Sequence, residues 1–325
     1  MSFRLGMAIR WPEYYDYMRE AGFDVVKIEM QRNDEDEVIE KYRGIQAVVA
    51  MGEPFTPRVL DALKDDLQFV IRHGVGYDKI NVDYAAQVGV CCCNTPGAMS
   101  TGVGETTLAL MLEISRGFFR SDREIKAGGY SRGPVTRGIE GATIGLIGFG
   151  NIGQKVARIL QGFNPRLLAY DVRYNEDALR ELHVEKASLE QIARESDLVS
   201  VHVPLMPQTA NIVDAAFLAQ MKPTAFLINT SRGGTVDEQA LIEALKNGTI
   251  AGAGLDVFAK EPLPADSELR KLDNVFMTGH LATQTTVCIQ AGFDSIIRSL
   301  REFQSGQVPY GCLNPSYVTH RQAQG

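Results

Sequence analysis

The chain has 325 residues, of which 45% are hydrophobic and 22% charged, with a formal net charge of −7. That length exceeds what one hydrophobic core ordinarily serves, so two domains are expected. The acidic balance argues against a nucleic-acid partner, since a phosphate backbone selects a basic footprint. No apolar run approaches the roughly 18 residues of a membrane span, so no membrane partner is expected.

The N-terminal "MSFRLGMAIRWPEYYD" shows neither the uninterrupted apolar core of a secretory signal nor its small-residue cleavage site. Five cysteines, an odd number without framework spacing, then point to reduced thiols in the cytoplasm. Short apolar runs alternate with helix-length polar segments: "FRLGMAI" and "PEYYDYMREAG", "FDVVKI" and "DEDEVIEKYRG", "IQAVVAM" and "TPRVLDALKD", "LQFVIR" and "NVDYAAQVG". This alternation predicts buried parallel strands with helices on both faces. "GVCCC" is the next strand. A long helix is expected over roughly Thr101 to Arg120, then a surface loop, "KAGGYSRGPVTRGIEG".

A second series starts at "ATIGLIGFGNIGQKVARILQGF" and continues through "RLLAYD", "DLVSVHVP", "TAFLINTS", "IAGAGLDVF" and "NVFMTGH". A last helix, roughly Thr285 to Ser305, precedes the tail "GQVPYGCLNPSYVTHRQAQG", whose final residues have little to bury. The fold class is therefore α/β, with two doubly wound parallel-sheet lobes.

Three adjacent cysteines, Cys91, Cys92 and Cys93, invite a metal or redox reading. In a strand successive side chains point to opposite faces. Cys91 and Cys93 then face one way and Cys92 the other, so the three cannot close around one ion. They read as packing residues, and no His/Cys cluster has metal-ligand spacing. No metal is expected.

In the second series a strand runs into Gly148-x-Gly150-x-x-Gly153 and then a helix. These positions suit a tight turn, close approach to a pyrophosphate and close helix–strand packing. The amides near Asn151 and Ile152 would face the phosphates. Asp171 ends "LLAYD" about twenty residues on, where an acid bonds the ribose hydroxyls of NAD and repels the 2′-phosphate of NADP. Arg173 close by softens that preference. NAD is the expected cofactor, with NADP second.

Arg232, Glu261 and His280 lie at or shortly after ends of predicted strands, where open α/β sheets bind ligands. Hydride transfer at a hydroxyl carbon needs a proton carrier, and histidine titrates near neutral pH. A carboxylate on its second nitrogen fixes the tautomer and favours the charged form. An arginine can clamp a carboxylate and stabilise charge on the reacting oxygen. Singly, Arg232 could bond loop carbonyls, Glu261 could cap a turn and His280 could be a core residue. Together, downstream of the glycine fingerprint, they point to a site.

The chain resembles the D-isomer-specific 2-hydroxyacid dehydrogenases, in the order "HGVGYDKINVDYAA", "NTPG", "GFGNIG", "VPLMPQT", "NTSRGGTVDEQAL", "AGLDVFAKEPLP" and "NVFMTGHLATQT". The resemblance implies that His280 takes the hydroxyl proton, Glu261 holds and charges it, and Arg232 grips the carboxylate and polarises the carbonyl. Val75 and Gly76 match the loop whose amides hold the substrate carboxylate. Thr107, Asn151, Ile152, Asp171, Val203, Pro204, Thr209, Thr230 and Asp256 match cofactor contacts, and His280 faces the cofactor too. It also implies a Rossmann NAD-binding domain, 101–284, inserted into a flavodoxin-like substrate-binding domain, 1–100 plus 285–325. Hinges would lie near Pro96–Thr101 and Thr283–Thr285, and a homodimer would form through the NAD-binding domain. Departures are Gly279 where relatives usually carry Pro, Met99 for a common Asn, and Gly102 and Gly104 in the crossing helix.

The substrate would be a small 2-oxo or 2-hydroxy acid, its pocket drawn from Met51–Pro54, Arg72–Gly76 and Trp11 or Tyr14. Arg72 is either a second cation for the substrate or a solvated strand-end residue. Two rivals share the fold: NAD-binding corepressors, whose extended tails are not seen here, and formate dehydrogenases, which place Gln where Glu261 stands.

Overall fold

The computed structural model describes residues 3–130 and 135–322. The chain forms two compact units, one within Met1–Met99 and Thr286–Gly325, the other Ser100–Thr285. The chain thus enters the second unit after Met99 and returns after Thr285.

The first unit opens with β1 (Arg4–Met7), α1 (Glu13–Glu20), β2 (Asp24–Lys27), α2 (Glu35–Tyr42), β3 (Ala47–Ala50), α3 (Pro57–Leu63), β4 (Phe69–Arg72), α4 (Val82–Gln87) and β5 (Cys91–Cys93). The helices α2, α3 and α4 start where side chains take up orphan amides. Asp34 accepts from the Glu37 amide, Thr56 from Val59 with Pro57 in the first turn, and Asn81 from Tyr84. The strands are all parallel in the order β2-β1-β3-β4-β5. This is the flavodoxin-like arrangement. Cys91 and Cys93 lie in one core with Leu5, Ile71 and Phe69, whereas Cys92 packs in the other with Val48, Val70 and Phe55.

The second unit comprises α5 (Ser100–Arg116), α6 (Phe118–Lys126), β6 (Thr143–Ile147), α7 (Asn151–Leu160), β7 (Arg166–Tyr170), α8 (Glu176–Glu181), β8 (Val184–Lys186), α9 (Leu189–Glu195), β9 (Leu198–Val201), α10 (Ala215–Leu218), β10 (Phe226–Asn229), α11 (Glu238–Lys246), β11 (Gly252–Leu255) and β12 (Val275–Met277). All seven strands are parallel, in the order β12-β11-β10-β9-β6-β7-β8. That is the Rossmann order with one strand added at an edge.

Two expectations need correcting. The helix expected over Thr101 to Arg120 ends at Arg116, because Gly117 adopts a left-handed conformation (φ 65°) and α6 starts anew beyond it. The strand β8 has no counterpart in the sequence reading. It is three residues long at the sheet edge and buries only Val184, so no apolar run announces it. Of the expected loop between Lys126 and Gly141, residues 131–134 lie outside the described residues, as do 323–325 of the expected tail.

After Thr285 the chain returns as α12 (Thr286–Gln304) and α13 (Tyr317–Gln322). The face of α12 carrying Ile289, Phe293, Ile296, Leu300 and Phe303 packs into the core that holds Cys91 and Cys93. Each such fully buried side chain contributes roughly 1.5–3 kcal/mol. The segment between these helices pairs antiparallel with β5 at Cys93 and Cys312.

Candidate active site

In the second unit β6 delivers the chain to the glycine loop and α7. A Cβ at Gly153 would stand 2.2 Å from the carbonyl oxygen of Gly148, so only glycine lets the helix approach the loop this closely. At Gly150 an added Cβ would meet nothing, which leaves the approach to the helix open. No side chain caps this ten-residue helix, so the amides of its first turn, around Asn151 and Ile152, are available to an anion. Asp171, just past β7, accepts from the amides of Phe149 (2.7 Å) and Arg173 (3.1 Å), tying the acid to the glycine loop. An open glycine cradle, an uncapped helix and an acid at the neighbouring strand end fit a nicotinamide dinucleotide.

The remaining expected cofactor contacts line the same sheet edge or brace it. Ser231 donates its hydroxyl to the Val203 carbonyl. Thr209 donates to the Pro204 carbonyl (2.5 Å) and accepts from the Met206 amide (2.8 Å), closing the loop after β9. Thr107 and Thr230, both buried, pair hydroxyl to hydroxyl at 3.0 Å, and Thr107 also donates to the Val103 carbonyl (2.7 Å). These bonds brace α5 against the end of β10.

Arg232, Glu261 and His280 come from three loops of this unit. After β10, the Asn229 side chain accepts from the Ser231 amide (3.0 Å) and donates to the Arg232 carbonyl (3.0 Å), shaping the turn that carries Arg232. The guanidinium donates to the Ser231 carbonyl at 2.8 Å. A Cβ at Gly233 would fall 1.9 Å from the Phe258 carbonyl carbon, so glycine lets this turn seat directly on the loop leading to Glu261.

Glu261 accepts from the Phe258 amide (3.1 Å) through one oxygen and meets His280 Nδ1 at 2.8 Å through the other. Burial pushes its carboxyl up, but the bonds from His280 and Phe258 and the charges of His280 and Arg232 prevail and hold it below its ordinary range. The His280 side chain is 42% exposed, accessible to a reactant.

Asp256 organises the backbone under His280. Fully buried, it accepts through Oδ1 from the Thr278 hydroxyl (2.6 Å) and the Leu281 amide (2.9 Å). Its Oδ2 accepts from the Ala282 amide (3.1 Å), and its carbonyl accepts from the His280 amide (2.8 Å). The resemblance implies a cofactor contact at Asp256, whereas here both of its carboxylate oxygens are engaged by the histidine loop. His280 sits at φ 54°, a left-handed conformation that a non-glycine residue keeps only when its surroundings impose it. The backbone of the histidine following Gly279 is thus braced by Asp256 although no proline precedes it.

The first unit holds the other expected contacts. Arg72 donates to the carbonyls of Ala50 (3.2 Å) and His73 (2.6 Å), bridging two strand ends, a bracing role that neither reading of it included. Among the described residues the amides of Val75 and Gly76 take no hydrogen bond, while the Val75 carbonyl accepts from the Asn94 side chain (2.8 Å). Glu53 is buried and accepts from the amides of Met51 (2.5 Å) and Gly52 (2.7 Å), fixing that loop. Tyr14 stacks on Phe293 with ring centroids 4.3 Å apart and is a packing residue; Trp11 packs on His73 at 5.3 Å.

Asn229, Gly233 and the bracing role of Asp256 escape the sequence reading. For Asn229 and Gly233 the signal is the run "NTSRGG", whose residues on either side of the arginine define its turn.

Residues 108–282 match the family described as "D-isomer specific 2-hydroxyacid dehydrogenase, NAD binding domain". The chain is 37% identical over 290 residues to the glyoxylate reductase of Korarchaeum cryptofilum, spanning 87% of each chain. It is 36% identical over 320 residues to that of Pyrococcus furiosus, spanning 96% of this chain and 95% of the other. Among solved structures, an NADPH-dependent glyoxylate/hydroxypyruvate reductase from Sinorhizobium meliloti, in complex with NADP and malonate, superposes with a TM-score of 0.85 at 29% identity over 98% of both chains.

Proposed function

Because the chain belongs to the D-isomer-specific 2-hydroxyacid dehydrogenase family, we propose that it reduces small 2-oxo acids, glyoxylate first among them, to the 2-hydroxy acids, with His280 as the proton carrier. The family makes it an NAD(P)-dependent oxidoreductase. The observation that carries the finer reading is the 2.8 Å pair between His280 Nδ1 and Glu261, with Arg232 on the adjoining turn.

The cofactor would lie with its pyrophosphate over Gly150 and the amides of Asn151 and Ile152, and its adenosine ribose at Asp171. When bound it supplies the hydride. His280 Nε2, its other nitrogen fixed by Glu261, donates a proton to the carbonyl oxygen in reduction and takes it back in oxidation. Arg232 pairs with the substrate carboxylate and stabilises charge gathering on that oxygen. Within the first unit, the amides of Val75 and Gly76, which take no hydrogen bond among the described residues, suit an anion such as a carboxylate.

Asp171 supports NADH over NADPH, and Arg173 leaves NADPH a secondary substrate. A homodimer through the cofactor unit is supported by α6, which buries none of its residues and leaves Phe118, Phe119 and Ile125 each 52% exposed. Five free cysteines suit a reducing, cytoplasmic setting.

The test is a panel of glyoxylate, hydroxypyruvate, pyruvate, 2-oxoglutarate and branched 2-oxo acids, each with NADH and NADPH. Oxidation of NADH by glyoxylate at a rate above the other acids supports the reading. No turnover on any of them would favour a regulatory NAD-binding protein instead.

A further inference from the structure

The fold assembles a group that the sequence spacing conceals. Cys91 and Cys93, two apart on β5, present their sulfurs to the same face 3.8 Å from each other. Cys312 arrives from the far end of the chain, and the three sulfurs lie within 4.8 Å of one another. No ligand spacing in the sequence announces this group; the fold brings it together. Cys92 is excluded from the group, as the strand's alternation requires, but Cys312 takes the third place.

Backbone pairing fixes Cys312 there. The Asn94 amide donates to the Gly311 carbonyl (3.1 Å) and the Leu313 amide to the Cys92 carbonyl (2.8 Å). Cys93 and Cys312 are thus the pair lying between two ladder bonds, the position where cross-strand side chains come closest. Buried Asn314 pins the same segment. It accepts from the Cys92 amide (2.8 Å) and donates to the carbonyls of Val90 (2.9 Å) and Val82 (3.3 Å).

We propose that Cys91, Cys93 and Cys312 form a three-thiolate site for a soft monovalent metal ion of the copper(I) class. Three sulfurs each about 2.3 Å from an ion in their plane stand about 4 Å apart, so the spacing needs little rearrangement. The donors are sulfur alone, which selects soft ions over calcium or magnesium. Among the described residues no histidine, aspartate or glutamate completes a tetrahedral set for zinc. The surrounding core, with Phe69, Phe303 and Tyr317, suits a weakly hydrated ion.

Cys312 is half-buried and Cys91 and Cys93 are fully buried, so an ion enters past Cys312. Each sulfur that ligates releases its proton to solvent as the ion displaces it. No oxidant or reductant is consumed.

The test is anaerobic titration of the reduced protein with copper(I) against a coloured copper(I) chelator, followed by thiolate-to-copper charge transfer in the ultraviolet. The expected result is one tightly held equivalent in the parent and in Cys92→Ser. Cys312→Ser, at a half-exposed position and checked for folding by circular dichroism, should lose more than about 100-fold in affinity, beyond the usual cost of an outer-shell change. Failure of the parent to compete with the chelator, or unchanged binding by folded Cys312→Ser, would overturn the proposal. So would a parent that forms only a Cys93–Cys312 disulfide under mild peroxide and holds no copper.

Discussion

His73 and His280 both follow a strand of a parallel sheet, yet they are opposites. His73, next after β4, packs against Trp11 and Phe293 with centroids at 5.3 and 4.8 Å and is 6% exposed. Burial pushes its pKa down to about 4, so it stays neutral. His280, three residues past β12, has an exposed ring, a carboxylate on Nδ1 and a backbone braced in a left-handed conformation by Asp256. A strand-end position therefore does not make a histidine a proton carrier. The role proposed for His280 rests instead on a fixed partner at one nitrogen and access to the other.

The contrast can be strained at each partner of His280. Arg232→Ala removes the charge beside the pair and should cost about 10²–10³-fold in kcat/KM for glyoxylate, with a raised KM, in steady-state assays. Glu261→Gln keeps the shape but not the charge and should lower kcat about 100-fold. Glu261's depressed pKa stabilises the fold above the usual carboxylate range, and that contribution is lost as pH falls through its folded value. The melting-temperature advantage of the parent over Glu261→Gln should therefore narrow below about pH 4.

At His73 the sign is reversed. A folded pKa of about 4 against the ordinary 6.5 means that the unfolded chain takes up the proton first. Stability then falls as pH drops below 6.5, by about 2 kcal/mol at pH 5. His73→Phe, which keeps the stacking and removes the titration, should abolish that loss in denaturant midpoints compared at pH 7 and pH 5.

The two sheets are legible in the sequence because buried parallel strands are written as apolar runs such as "AVVA" and "LVSV". The strand β8 was not, since an edge strand that buries only Val184 leaves no such run. Arg232, Glu261 and His280 could be chosen from residue type and strand-end position. Their meeting could not, since it depends on Gly233 packing against the Phe258 backbone and on Asp256 bracing a loop across β11 and β12. Cys312 was illegible for the same reason: backbone pairing, not sequence distance, brings it to Cys93.

The most direct measurement sets His280→Ala beside His73→Phe in NADH-dependent glyoxylate reduction, with NADH affinity taken from fluorescence titration. The account predicts that His280→Ala loses about 100-fold or more in kcat while binding NADH like the parent, and that His73→Phe stays near the parent rate. Undiminished turnover in His280→Ala, or a greater loss in His73→Phe, would contradict it.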